Sequence, residues 1–285
     1  MFYQSIRIQI AIITKLINNT KFKIDKGDHL LDTHTHILWN IDDGSKNQCM
    51  SLQMLEIAAR SGTKAIFATP HVIERANKPS WEEIKEKTQQ LRQLCAEAQI
   101  DIMLYPGAEV QMNWELLPEL GATGAYCLNG GRYLLIELPA AEIPAYADEF
   151  WYELELKGIT PILAHPERYQ QLRENPDLLL LWRRRGMLMQ CNSGSFTGMF
   201  GSSVCENAKV LLANGLVDLL GSDGHRSEGR NTDMSRAAAV IRQLAGEEVL
   251  RQLTETNPQA ILKNQEIELK QPKVLLEDKP KSFWQ

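Results

Sequence analysis

From Leu30 onward the chain repeats one phrase: an apolar run ends in polar residues, and an amphipathic segment follows that closes on Gly or another turn signal. The apolar runs are "HLLDTHTH", "TKAIFATPH", "IDIMLYPGAE", "RYLLIELP", "TPILAHPER", "MLMQCNS" and "LVDLLGSDGH". Between them lie helical patterns. One, around Met50, Met54, Ile57 and Ala58, ends at Gly62; the next, "SWEEIKEKTQQLRQLCAEA", opens with Ser80 and has Glu83 at capping-box spacing. "AYADEFWYELELKG", "NPDLLLLWRRRG", "CENAKVLLANG" and "MSRAAAVIRQLAG" follow. Short strands alternating with helices of about ten to fifteen residues build βα units and a parallel sheet. Seven units in an unbroken series suit a closed barrel better than a doubly wound sheet. No GxGxxG or GxxxxGK[ST] motif supports a nucleotide fold.

No linker rich in Pro, Gly or Ser divides the series, so residues 29–265 read as one domain. Residues 1–28 read as an extension of unassigned role, which an upstream start-codon assignment would also explain. Its apolar stretch "SIRIQIAIITKLI" is interrupted by Arg7 and Lys15 and is too short for a membrane span. It has no basic leader or small-residue cleavage site, so no signal peptide is expected. Residues 266–285 read as a charged tail. A formal charge of −5 gives no basic face for nucleic acid. Five scattered cysteines without a CxxC pair point to reduced thiols and a cytoplasmic protein.

Six of the seven strands end in residues that can bind metal. The first carries His34 and His36, which share a face because strand side chains alternate, and "IDDG" follows with Asp42 and Asp43. The others end at His71, Glu109, Glu137, His165 with Arg168, "CNSGSF", and Asp223 with His225, Arg226 and Arg230. Five of the six histidines therefore fall where a barrel of this kind builds its active site. Any one of them alone would be an ordinary solvated or core residue; their convergence is what argues for a site. His, Asp and Glu without a neighbouring thiolate suit Mn, Fe(II) or Zn, and the ligands outnumber what one ion can use. Asp32 shares the face of the two histidines and reads as a group that orients an imidazole. Arg168 and Arg230 read as phosphate-binding groups at the rim, against surface pairs with Glu167 and Glu228.

In this order, D-x-H-x-H, DDG, TPH, GAE, LIE, AHPERY and SDxH resemble the PHP (polymerase and histidinol phosphatase) superfamily. The match is nearest to its branch of manganese-dependent bacterial protein-tyrosine phosphatases of capsule and exopolysaccharide synthesis. It covers residues 30 to about 265, including "NPQAIL". The resemblance implies an α/β fold, a distorted (β/α)7 TIM-like barrel, with three metals at the C-terminal strand ends. Carried over by motif, His34, His36, Glu109 and Asp223 would hold the first metal. Glu109 would bridge to a second held with Glu137 and His165, and Asp43, His71 and His225 would hold the third. Asp43 rather than Asp42 is the ligand on resemblance alone, since Asp42 can equally be a turn residue. Glu137, where histidinol phosphatase relatives tend to carry His, favours the tyrosine-phosphatase branch, as do "AHPERY" and Arg230.

Three divalent ions would outweigh the charges of Asp43, Glu109, Glu137 and Asp223, giving a positive site in an acidic protein, suited to a phosphate dianion. A hydroxide held between metals is the expected nucleophile. Cys191 is not: six residues on, where a thiol phosphatase loop needs Arg, stands Thr197. The expected substrate is a phosphotyrosine-bearing protein, a bacterial tyrosine autokinase. The alternatives are a small-molecule phosphatase of the superfamily, such as one for histidinol phosphate, and a metal-bearing binding module without catalysis.

Overall fold

The computed structural model describes residues 29–120, 124–270 and 272. The expected N-terminal extension and most of the expected tail lie outside the described residues.

The strands are β1 Leu30–Thr35, β2 Thr63–Ala68, β3 His71–Val72, β4 Met103–Pro106, β5 Glu109–Gln111, β6 Tyr133–Glu137, β7 Thr160–Ala164, β8 Leu188–Asn192 and β9 Leu219–Gly221. The main helices are α1 Gln48–Arg60, α2 Trp81–Glu97, α3 Ala147–Leu156, α4 Asp177–Arg184, α5 Ser202–Ala213, α6 Ser235–Ala245 and α7 Asn257–Leu262. Asn47 and Ser80 start α1 and α2 by accepting the Met50 and Glu83 N–H groups at 2.9 and 3.1 Å.

All strand pairs are parallel, in the orders β1-β2-β4 and β3-β5-β6-β7-β8-β9. The second and third apolar runs of the sequence are each broken, at Thr69-Pro70 and at Gly107-Ala108. Pro70 has no N–H to give to a ladder. The hydrogen bonding nevertheless continues across the breaks: Thr69 N donates to Thr35 O (2.8 Å), Gly107 N to Ala68 O (2.9 Å) and Glu109 N to Pro70 O (3.0 Å). The sheet curls until β9 meets β1, where Asp223 N donates to His34 O (2.7 Å) and His36 N to Gly224 O (3.0 Å).

Alternation along the strands buries both faces. Leu134, Ile136, Leu163, Met189 and Leu220 pack in the larger cluster beneath the helices. Tyr133, Leu135, Ile162, Leu188 and Leu219 belong to a second cluster inside the curl, with Phe67 and Ile267. The interior above that cluster is polar. Among the described residues no helix is long and apolar enough to cross a membrane.

Candidate metal centre

The breaks in the sheet have a consequence at its C-terminal rim. His71 and Glu109 begin the second pieces of their strands and face each other in register. There they join His34 and His36 from β1, Glu137 from the end of β6, His165 after β7, and Asp223 and His225 after β9. His165 and Asp223 take left-handed backbone with φ +38° and +52°. Such strain in non-glycine residues concentrates at functional sites.

The imidazole tautomers follow from their neighbours. His36 Nδ1 lies 2.6 Å from Asp42 Oδ2, an acceptor only, so Nδ1 carries the proton. His34 Nδ1 lies 2.9 Å from Gln190 Oε1. The Gln190 amide is fixed because its NH2 donates to Cys191 O (2.7 Å) and Asn192 Oδ1 (3.0 Å). Both Nε2 atoms therefore present lone pairs, 3.1 Å apart. Glu109 Oε2 stands 3.1 and 3.2 Å from them, and Asp223 Oδ1 3.5 and 3.4 Å. Glu109 Oε2, Asp223 Oδ1 and His71 Nδ1 are buried and make no aligned hydrogen bond. Once these rings give up their second proton, the lone pairs converge as a cation site requires, so a metal would bind here with release of protons.

The convergence forms three overlapping groups: His34, His36 and Asp223; His71, Glu109 and Glu137; and His36, Asp43, His71 and His225. His165 Nε2 joins through Glu109 Oε1 at 2.8 Å. All nine candidate ligands are thus neighbours. His71 sits between two groups. Its Nδ1 faces Glu109 (3.1 Å) and Glu137 (3.3 Å), whereas its Nε2 faces Asp43 at 3.7 Å. The two adjacent aspartates divide the work. Asp42 is engaged with His36, the Gly44 N–H and the His71 N–H, while the Asp43 carboxylate lies 3.4 Å from His225 Nε2.

Charge follows this arrangement. Burial disfavours the charged form of His34, but Glu109 and Asp223 outweigh it and raise its pKa; His36 is raised well above its usual value against burial, chiefly by Asp42. Glu109 and Asp223 are held well below the usual carboxylate range, against burial, by the facing histidines. Burial and the neighbouring His36 push His225 down to about 4, which leaves its imidazole neutral near pH 7.

Arg168 and Arg230 do not pair with Glu167 or Glu228. Arg168 Nη1 donates to Asp223 Oδ2 at 3.2 Å, and Arg230 Nη2 donates to the same oxygen. They are 34% and 28% exposed, at the edge of an open cleft of about 590 Å³ that is floored by Asp43, His71, Glu109, Glu137, His165 and His225.

One expectation needs correction. Asp32 orients no imidazole: its Oδ1 accepts the backbone N–H groups of Ser222 (2.8 Å) and His34 (3.2 Å), joining β1 to the segment after β9. Burial raises its pKa to about 6. The orienting groups are Asp42 and Gln190, and Asn192 Nδ2 holds Asp223 Oδ2 at 2.5 Å. Alternation in "MQCNS" puts Gln190 and Asn192 on one face and offered a signal for them. Cys191, between them, points the other way into the apolar cluster, and burial pushes its thiol well up.

Residues 30–263 match the family described as capsular polysaccharide synthesis, CpsB/CapC. Tyrosine-protein phosphatase YwqE of Bacillus subtilis (strain 168) is 34% identical over 238 residues, 84% of this chain and 93% of the relative. Tyrosine-protein phosphatase CpsB of Streptococcus pneumoniae is 28% identical over 241 residues, 83% of this chain and 99% of the relative. A crystal structure from work on YwqE and CpsB, described as unique metal-dependent tyrosine phosphatases, superposes with a TM-score of 0.81 at 33% identity. That alignment covers 86% of this chain and 99% of the solved one. The chain belongs to the CpsB/CapC family of capsular polysaccharide synthesis.

Proposed function

We propose that this chain is a metal-dependent protein-tyrosine phosphatase, a phosphoric monoester hydrolase. The observation that carries this is the convergence of buried donor atoms of His34, His36, Glu109 and Asp223, with two arginines that meet on Asp223 and line the adjoining cleft. Residues 29–265 form the catalytic unit, and the curled sheet is read as a distorted seven-unit barrel. His34, His36, Glu109 and Asp223 would hold one metal, Glu109 with Glu137 and His165 a second, and Asp43, His71 and His225 a third. The donor set suits manganese, with iron or zinc chemically admissible. When bound, the metals supply Lewis acidity toward phosphate and a water made nucleophilic near neutral pH.

The chain's own groups do the rest. The forked guanidinium groups of Arg168 and Arg230 can take up non-bridging phosphoryl oxygens as charge redistributes. Asp42 and Gln190 keep the His36 and His34 rings from turning. Asn192 pins the outer oxygen of Asp223 and leaves the inner one facing the histidines. The open cleft suits a phosphotyrosine on a protein; the family is one of capsular polysaccharide synthesis, and we read the substrate as a bacterial tyrosine autokinase of that apparatus. A cytoplasmic location follows from that substrate.

The test compares turnover of a phosphotyrosyl peptide with that of histidinol phosphate by the metal-loaded protein. Preference for the peptide is expected. Efficient turnover of histidinol phosphate alone would transfer the chain to the small-molecule phosphatases.

A further inference from the structure

The segment between β8 and α5 contributes no candidate ligand, yet it approaches the site closely. After Asn192 the chain makes a short helical turn, Ser193–Phe196, and doubles back through Met199 and Phe200. Met199 N and Thr197 Oγ1 both donate to Gly194 O, at 3.0 and 3.1 Å. The return is tight: a Cβ at Gly194 would lie 2.9 Å from Met199 Sδ and 3.1 Å from Phe200 Cε2.

This close return sets the half-buried Phe200 ring beneath two cations. The guanidinium carbon of Arg168 lies 4.8 Å from the ring centroid and that of Arg230 5.6 Å. Both distances fall within the range in which a ring's negative face attracts a cation, about 6 Å. The same two guanidinium groups meet on Asp223 Oδ2. Two like charges converging on one oxygen repel each other. A ring that attracts both offsets that repulsion and limits their rotamers, which an aliphatic side chain of similar volume cannot do.

We propose that Phe200 is a positioning residue for phosphate hydrolysis, the shared platform that holds Arg168 and Arg230 side by side at the mouth of the metal centre. The proposal rests on the reading that these arginines bind the phosphoryl group. It adds that their geometry is set from a third loop, by an aromatic face.

The experiment uses the metal-loaded full chain with a phosphotyrosyl peptide, and calorimetric binding of inorganic phosphate as a readout independent of turnover. Phe200→Leu should lower kcat/KM about tenfold, the loss expected from two partly exposed cation–π contacts, and weaken phosphate to a similar degree. Phe200→Trp keeps a π face and should recover to within about threefold of the parent. In an Arg168→Ala/Arg230→Ala background nothing remains to be positioned, so Phe200→Leu should then cost less than about twofold. Metal content, measured in every variant, should be unchanged. If the double-Ala variant keeps full activity and full phosphate affinity, the phosphate-binding reading fails and this proposal with it. If that variant is impaired but Phe200→Leu costs as much there as in the parent, or Trp recovers nothing over Leu, this proposal alone is overturned.

Discussion

At the scale of single residues, the decisive fact is which ring nitrogen carries a proton. Asp42 and Gln190 take the Nδ1 protons of His36 and His34, and the two Nε2 lone pairs are left facing Glu109 and Asp223. Glu109 stands between the groups, with one oxygen toward His34, His36 and His71 and the other toward His165. Glu109→Ala should therefore lose at least one metal per chain and nearly all turnover; normal metal content by elemental analysis would contradict the bridging role. Arg168→Ala or Arg230→Ala should each cost about 2.7–4 kcal/mol in the transition state, roughly a hundredfold to a thousandfold in kcat, with metal content unchanged. Retention of more than about a third of kcat/KM in both would limit them to partners of Asp223 with no part in the transition state. The His-x-His pair and the strand-end carboxylates were legible because strand alternation and residue type carry that information. The division of labour between Asp42 and Asp43 was not legible, because adjacent residues in a turn have no periodicity to separate them. Asp32 misled for a physical reason. It shares the histidine face, but it sits deeper in the strand and binds backbone N–H groups instead.

At the scale of elements, close packing between strands fixes the site. β9 approaches β1 so nearly that a Cβ at Gly221 would lie 2.5 Å from His34 Cβ and 2.8 Å from Gln190 Nε2. Gly221→Ala thus presses on the candidate ligand His34 and on Gln190, which accepts from its ring. It should destabilise by about 1–3 kcal/mol, the usual cost of overpacking, and weaken metal binding about tenfold to a hundredfold. Chemical denaturation and metal titration check the two effects, and unchanged metal affinity would mean that β9 can shift without disturbing His34. The alternation of strand and helix was plain in the sequence, and the main helices form where apolar periodicity and the Ser80 cap placed them. The breaks at Thr69-Pro70 and Gly107-Ala108 were not seen, because continuous apolar runs hide an interruption that neighbouring strands bridge with hydrogen bonds. The continuous helical stretch from Glu247 to Leu262 was missed too, because its buried face includes the polar Thr254 and Asn257 and a π-helical segment, Gln252–Thr256, interrupts its α-helical period.

Over the whole molecule, an acidic chain gathers its histidines at one end of a curled sheet, and that asymmetry makes its stability depend on pH and metal together. Without metal, His34, His36 and His71 have pKa values raised above the ordinary 6.5. Their contribution is fully present below 6.5 and is lost as pH rises through the raised values. Glu109 and Asp223, lowered from 4.5 and 3.8, contribute above those values and lose that contribution in acid. His225, lowered to about 4, opposes the other histidines and is outnumbered. The chelated protein should therefore lose melting temperature as pH is raised from about 6 to 9, while the metal-loaded protein should not, because metal requires deprotonated ligands. Parallel profiles for the two forms would remove the histidine–carboxylate cluster as their source of difference.

The central question is whether phosphotyrosine hydrolysis needs metal held by this cluster. The measurement is turnover of a phosphotyrosyl peptide, with elemental analysis of the same samples, before chelation, after it, and after divalent ions are returned one at a time. Activity and bound metal should disappear together and return together, with manganese restoring activity best. Full activity in protein shown to be free of metal would contradict that requirement.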